Sequence, residues 1–253
     1  MLFDSIVYGP IHSRRLGVSL GMNLMPTTAK LCTFDCVYCE CGWNQPVSHP
    51  ALPTREEVRS ALADRLSDLS PNHLDVITFS GNGEPTLHPE FLGIIQDTCA
   101  LRDQYYPQAK ISVLSNATQL ARPDVVEALR LCDNRILKLD SAIDDTMRLI
   151  DKPVNPKLTV EQIAQRLSLF HGDFTLQTCF LRGEENGLTI DNTTAQELSA
   201  WYAMVERLRP KQLMIYVIDR ATPLQTLSKI PAHEMQAIAA PLQAQGFEVI
   251  VCA

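Results

Sequence analysis

Two kinds of hydrophobic pattern alternate along the chain. Short runs of apolar and β-branched residues predict β-strands, and segments in which apolar residues recur every three or four positions predict amphipathic helices. Seven strands are predicted, at residues 18–24, 75–80, 111–115, 135–140, 174–180, 212–218 and 247–251. Strands that alternate with helices indicate a parallel sheet, either open or curled into a partial barrel.

Capping residues mark where the helices begin. A Ser or Thr followed three residues later by Glu or Gln is typical of a helix N-terminus. This spacing occurs at Thr54 with Glu57, at Thr159 with Gln162 and at Thr194 with Glu197. Shorter helices are predicted to begin near Pro89 and Pro123, because proline suits the first helical turn. The last helix is predicted to begin at about Pro231. No repeat or Gly/Ser-rich linker divides the chain, so we predict a single domain over residues 1–253.

Composition and charge argue against several classes of protein, namely membrane-spanning, secreted and nucleic-acid-binding proteins. The chain has 253 residues, of which 45% are hydrophobic and 20% are charged, and these are ordinary globular values. No apolar run approaches the roughly 18 residues that a membrane span needs, and the first residues lack a secretory signal. We therefore expect a cytoplasmic protein with no membrane partner. The net charge of −7 makes nucleic acid an unlikely electrostatic partner.

Four of the eight cysteines lie within ten residues, at Cys32, Cys36, Cys39 and Cys41. Three interpretations compete. The first is a buried helical stripe, because positions 32, 36 and 39 would share a helix face. The second is structural zinc, but Cys41 follows Cys39 too closely to complete a tetrahedron comfortably. The third is an iron–sulfur cluster held by three thiolates, whose fourth iron stays open as a catalytic site requires.

The spacing Cys32-x-x-x-Cys36-x-Tyr38-Cys39 resembles the signature of the radical S-adenosylmethionine (radical SAM) superfamily. The resemblance implies an α/β fold, a partial (β/α)6 barrel of parallel strands, here with a possible extra C-terminal strand. It implies an oxidoreductase whose cofactors are a [4Fe-4S] cluster and SAM. Cys32, Cys36 and Cys39 would be the cluster ligands, and Tyr38 would pack near the adenine of SAM.

Polar residues that follow the predicted strands match other parts of the family pattern. The segment Gly81, Asn82, Gly83, Glu84 and Pro85 is similar to the family's GGE motif, which is expected to hold the methionine amino group of SAM. Ser115 and Asn116 are similar to the strand-end motif that contacts the SAM ribose. Asp140, Gln177 and Tyr216 lie on later strands, where they could contact SAM or simply pair with other buried polar groups.

The opening residues 8–17 together with the cysteine loop resemble a subgroup related to wyosine-synthesis tRNA enzymes. The chain has no cysteine before Cys32 and is acidic, which argues against a tRNA substrate. We therefore leave the substrate of the enzyme open. Two alternative functions are a tRNA- or RNA-modifying enzyme of wyosine type, which the resemblance suggests, and a non-catalytic iron–sulfur redox sensor. The superfamily chemistry implies a reductant protein of flavodoxin or ferredoxin type.

Several features keep more than one interpretation. Arg14 and Arg15 could bind an anionic substrate group or cap acidic surface. Residues 219–231 are a candidate lid. Cys41 is interpreted as a bystander, with a radical relay or a second metal as alternatives. The other cysteines are predicted to be buried packing residues, and they are Cys99, Cys132, Cys179 and Cys252.

Overall fold

A computed structural model describes residues 2–13, 16–45, 50–69 and 73–253. The chain divides into two compact units. The N-terminal unit comprises Met1–Cys32 and Asn44–Arg135, and the C-terminal unit comprises Thr33–Trp43 and Ile136–Ala253. That the chain is a single domain stays a prediction.

The N-terminal unit is a sheet covered by helices. Its elements are β1 (Val7–Ser13), β2 (Gly17–Met22), α1 (Arg55–Asp68), β3 (Val76–Phe79), α2 (Phe91–Tyr105), β4 (Lys110–Ser115) and α3 (Pro123–Leu131). β2, β3 and β4 are parallel, with Met22 beside Phe79 and Phe79 beside Val113. β1 is antiparallel to β2. All four residues of β3 are buried, as expected for a parallel strand covered on both faces.

The C-terminal unit repeats the alternation. Its elements are β5 (Asn134–Lys138), which begins at the unit boundary, α4 (Asp144–Asp151), α5 (Val160–Leu167), β6 (Thr175–Glu185), β7 (Leu188–Asp191), α6 (Ala195–Leu208), β8 (Gln212–Val217), β9 (Ser228–Lys229), α7 (Ala232–Ala244) and β10 (Val249–Cys252). β6 pairs in parallel with both β5 and β8, and β10 pairs in parallel with β8. The extra C-terminal strand is therefore confirmed.

The predicted helix starts are confirmed where a side chain caps the helix. The hydroxyl of Thr54 accepts from the Glu57 amide, and the Glu57 carboxylate accepts from the Thr54 amide at 2.7 Å. Thr159 and Gln162 form the same reciprocal pair at the start of α5. Thr194 caps α6 through the Glu197 amide. Each cap satisfies amides that have no partner inside their own helix.

β6 continues past the predicted end of its strand at residue 180. Its first half pairs with the parallel strands, and its second half pairs in antiparallel fashion with β7 and β9. β9 lies in the candidate lid, residues 219–231, so this segment is held to β6 by strand pairing. It is also held to the cysteine loop, because the Leu224 amide donates to the Val37 carbonyl at 3.2 Å and Arg220 pairs with Glu40 at 2.7 Å.

Within the described ranges, no helix combines the length and the apolar character that crossing a bilayer would require.

Candidate active site

The Gly-rich segment of the N-terminal unit is bonded directly to the start of the cysteine loop. The Leu31 amide donates to the Asn82 carbonyl at 2.8 Å, and the Glu84 amide donates to the Leu31 carbonyl at 3.1 Å. These bonds make a one-residue parallel bridge between Leu31 and Gly83. Leu31 immediately precedes Cys32, so the segment after β3 positions the chain that carries the first motif cysteine.

Two glycines permit this close approach. A Cβ atom on Gly83, whose φ is +147°, would lie 1.8 Å from the Leu31 carbonyl oxygen. A Cβ atom on Gly81 would lie 2.5 Å from the side-chain oxygen of Asn23. Neither position can take a larger side chain unless its neighbour moves.

Asn82, predicted to help bind the cofactor, has a fully buried side chain that bonds to the chain itself. Its amide nitrogen donates to the carbonyls of Phe3 and Pro26 at 2.8 Å each, and its oxygen accepts from the Phe3 amide at 2.8 Å. The side chain therefore anchors the N-terminal segment, and the backbone of residue 82 is what faces Leu31.

The Glu84 carboxylate is buried and well supplied with donors. It accepts from the Thr86 amide and hydroxyl, from the Ser115 hydroxyl at 2.8 Å, and from the Asn116 amide at 2.7 Å. Burial raises the pKa of Glu84, and the four donors oppose that rise. Pro85 follows it at the start of a short 3₁₀ turn.

Asn116 connects this carboxylate to the cysteine. Its backbone amide donates to Glu84, and its side-chain nitrogen lies 3.6 Å from the Cys32 sulfur, within hydrogen-bond reach of sulfur. Its side-chain oxygen accepts from the Thr118 amide at 3.1 Å, which fixes the orientation of the amide group. The unit thus brings together the predicted residues Cys32, Gly83, Glu84, Ser115 and Asn116.

The C-terminal unit surrounds a mostly buried lysine with acidic groups and a motif cysteine. The Lys138 ammonium, at the end of β5, lies 2.9 Å from an Asp140 oxygen and 3.2 Å from the Cys36 sulfur, and it also contacts Asp151. Burial by itself lowers the pKa of Lys138, but the two carboxylates outweigh it and hold the pKa above its ordinary value. Burial raises the pKa of Asp151 to about 7, against the attraction of Lys138.

Tyr38 belongs to the same cluster. Its hydroxyl donates to Asp140, and the Tyr216 hydroxyl donates to it at 3.5 Å. Burial and the neighbouring Asp140 carboxylate raise the pKa of Tyr38 well above its usual value. Its ring also lies 5.2 Å from the Lys138 ammonium. The predicted residues Tyr38, Asp140 and Tyr216 are therefore brought together.

Gln177 occupies the register position between Lys138 and Met214. It is buried, and its side-chain amide lies 3.4 Å from the Met214 sulfur. Its neighbours along the sheet place it on the side that carries the Lys138 cluster.

The remaining cysteines follow the packing prediction in part. Cys132 and Cys179 are buried, whereas Cys99 and Cys252 are half-buried, so the prediction was wrong for those two. Cys252 lies on the last strand of its sheet path, where fewer neighbours cover a side chain.

Arg14 and Arg15, predicted either to bind an anionic substrate group or to cap acidic surface, lie outside the described residues.

Asp151 is a member of the cluster that the sequence analysis missed. It ends α4, a position where an acidic residue usually faces solvent, yet its side chain is about 2% exposed. The signal that could have found it is Lys138, since a lysine on a buried strand needs acidic partners.

The donor set suits an iron–sulfur cluster. None of the eight cysteines is in a disulfide, and a nitrogen donor lies against the sulfur of Cys32 and of Cys36, where it would stabilise the negative charge of a thiolate ligand. Among the described residues, no group of three or more His, Cys, Asp or Glu side chains converges on one ion position. In a cubane cluster each thiolate binds a different iron, so its ligands need not converge in that way.

Comparison with known proteins identifies the class. The model of the Radical SAM superfamily matches residues 27–184, more than half of the chain. The chain belongs to this superfamily, whose members are enzymes that use SAM and a [4Fe-4S] cluster.

One relative is similar to the chain in sequence, and two solved structures are similar to it in fold. It is 31% identical to the UPF0026 protein slr1464 of Synechocystis over 87% of this chain and 77% of that one. It is similar in structure to Streptococcus suis SuiB bound to SAM, with a TM-score of 0.65, 10% identity and 88% of this chain covered. The chain spans about half (48%) of the SuiB chain. It is also similar to TYW1 with a lysine–pyruvate adduct bound, with a TM-score of 0.63, 16% identity, and 89% and 73% of the two chains covered. These likenesses confirm the predicted fold class.

Proposed function

We propose that this chain is a radical SAM enzyme in which Cys32, Cys36 and Cys39 hold the [4Fe-4S] cluster. The observation that carries the proposal is Asn116, which donates to Glu84 through its backbone and reaches Cys32 through its side chain. Three segments far apart in sequence, each matching a part of the family pattern, meet at this residue. A structural zinc site or a packing cluster of cysteines has no need for such a link.

Three thiolates leave one position of a cubane without a protein ligand, and that position suits the amino and carboxylate groups of SAM. We assign the residues predicted from the sequence to SAM. They are Tyr38, Gly81, Asn82, Gly83, Glu84, Pro85, Ser115, Asn116, Asp140, Gln177 and Tyr216. For Asn82 we assign the backbone, because its side chain is committed to Phe3 and Pro26.

The chemistry that a bound cluster and SAM would supply is one-electron reductive cleavage of the S–C5′ bond of SAM, which would yield methionine and a 5′-deoxyadenosyl radical for hydrogen abstraction. The chain itself binds and orients SAM and the substrate, and it excludes water from them. Water is excluded from the strands by apolar side chains that are fully buried, among them Ile77, Phe79, Val113, Leu137 and Ile215. Glu84, oriented by its protein donors, is the side chain that we assign to the SAM amino group.

The electron must come from outside the chain, and a protein of flavodoxin or ferredoxin type is the proposed source. The competing function is a redox sensor that holds a cluster without using SAM. The arrangement of Gly83, Glu84 and Asn116 beside Cys32 favours the enzyme, because it brings the parts of the family pattern assigned to SAM next to a motif cysteine, which a sensor does not need.

The test is anaerobic reconstitution with iron and sulfide, followed by iron analysis and by detection of 5′-deoxyadenosine after addition of SAM and dithionite. We expect 5′-deoxyadenosine from the wild type. Cys32→Ala, Cys36→Ala and Cys39→Ala should each lose iron and product, whereas Cys41→Ala, the matched control in the same loop, should keep both. Iron content equal to wild type in any of the first three variants would refute the ligand assignment. A SAM-insensitive cluster in the wild type would favour the sensor.

A further inference from the structure

Lys138 has a complete set of partners, one of which is a motif cysteine. A protonated lysine has three N–H donors and no acceptor. The Lys138 ammonium lies 3.2 Å from the Cys36 sulfur and 2.9 Å from an Asp140 oxygen, and it contacts an Asp151 oxygen. The three donors therefore meet three acceptors, which fixes the ammonium in one position.

The surroundings keep this ammonium charged and immobile. The side chain is about 12% exposed, and the rings of Phe34 and Tyr38 lie 4.9 Å and 5.2 Å from the nitrogen. Aromatic faces stabilise a cation at these distances. The lysine ends β5, whose pairing with β6 holds the backbone rigid. A permanent positive charge is thus built against the sulfur of Cys36.

We propose that Lys138 is a positioning residue that donates a hydrogen bond to the sulfur of the cluster ligand Cys36 and raises the reduction potential of the cluster. The inference rests on the function proposed above. Reduction adds negative charge to a cluster, and charges and hydrogen bonds at the ligand sulfurs set its potential. A cation at the sulfur stabilises the reduced state more than the oxidised state, so the potential is higher with Lys138 than without it.

The opposing interpretation is that Lys138 serves the fold alone, by neutralising Asp140 and Asp151. In that case its removal would lower stability and leave the potential of the remaining cluster unchanged. Removing a lysine between two buried carboxylates also endangers folding. The double variant Lys138→Met with Asp151→Asn avoids this, since Asp140 still accepts from Tyr38 and from the Cys179 amide at 2.9 Å.

The reference for the double variant is the single variant Asp151→Asn, which keeps the ammonium beside Cys36. Lys152→Met is the matched control, because it removes a lysine of the same unit whose ammonium pairs with Glu185 at 2.6 Å. Each protein is reconstituted without oxygen. Iron per protein is measured after desalting, and the midpoint potential is measured without SAM by a redox titration followed by electron paramagnetic resonance.

We expect the double variant to have a more negative midpoint potential than Asp151→Asn, or to lose iron that Asp151→Asn retains although both apoproteins unfold at the same urea concentration. Lys152→Met should match the wild type in both measurements. Equal potential and equal iron in the double variant and in Asp151→Asn would overturn the role of Lys138. A wild-type protein that binds no cluster would instead overturn the proposed function, and this inference with it.

Discussion

Gly83→Ala tests whether the Gly-rich segment positions the first motif cysteine. A Cβ atom at residue 83 would lie 1.8 Å from the Leu31 carbonyl oxygen, far inside contact distance, so Leu31 must move. That movement breaks the two backbone hydrogen bonds that join Leu31 to residues 82 and 84. It also displaces Cys32, the next residue along the chain.

The magnitude follows from these contacts. A backbone conformation that favours glycine costs alanine about 1–3 kcal/mol, and each lost hydrogen bond costs about 0.5–1.5 kcal/mol. We therefore expect Gly83→Ala to lower the free energy of unfolding of the apoprotein by roughly 2–6 kcal/mol. Iron uptake on reconstitution should fall as well.

The matched control is Gly187→Ala, in the turn between β6 and β7. Gly187 also has a positive φ, of +79°, but among the described atoms none lies within 4 Å of an added Cβ. This variant should lose only about 1–2 kcal/mol from the left-handed backbone and should keep its iron. Urea unfolding and iron analysis measure both effects. Equal losses of stability and equal iron content in the two variants would refute a positioning role for Gly83.

Two further predictions address single side chains of the site. Asn116→Asp keeps the oxygen that accepts from Thr118 but removes the N–H group 3.6 Å from the Cys32 sulfur, so we expect less iron to be retained after desalting. Asn134→Asp, whose amide donates to Ser112, is the control and should retain wild-type iron. Asp151 has a pKa raised from 3.8 to about 7, so the folded state binds a proton that the unfolded state releases, and the free energy of unfolding falls as pH rises from about 4 to 7. Asp151→Asn should reduce this slope in urea unfolding of the apoprotein, and an unchanged slope would contradict the assignment.

The central parallel strands were predictable because strands such as β3 are buried on both faces and therefore appear as apolar runs. β1 was missed, since Gly9 and Pro10 interrupt its pattern and it pairs at the edge of the sheet path. The second half of β6 was missed because Arg182 and most residues after it are polar. The strands that pair with it are also short: β7 has four residues and β9 has two. α4 was missed because no side chain caps its start.

The candidate site also has a part that the sequence predicts and a part that it does not. Segments that match a family pattern could be predicted by position, whereas the partners of their side chains could not. The commitment of Asn82 to Phe3 and Pro26 depends on a contact across 79 positions of sequence. The pairing of Asp151 with Lys138 depends on where α4 ends in relation to β5. Local sequence carries no record of such distances, so tertiary packing decides which polar residue serves the fold and which serves the site.

Both units place a nitrogen donor against a motif cysteine where a parallel strand ends. Asn116 follows β4 and reaches Cys32, and Lys138 ends β5 and reaches Cys36. The donors differ in charge: the amide is neutral and is oriented by Thr118, whereas the ammonium is positive and is shared with two carboxylates. A cation changes the energy of an added electron more than a neutral dipole does. If both donors act on one cluster, removing Lys138 should therefore shift its potential more than removing the Asn116 amide.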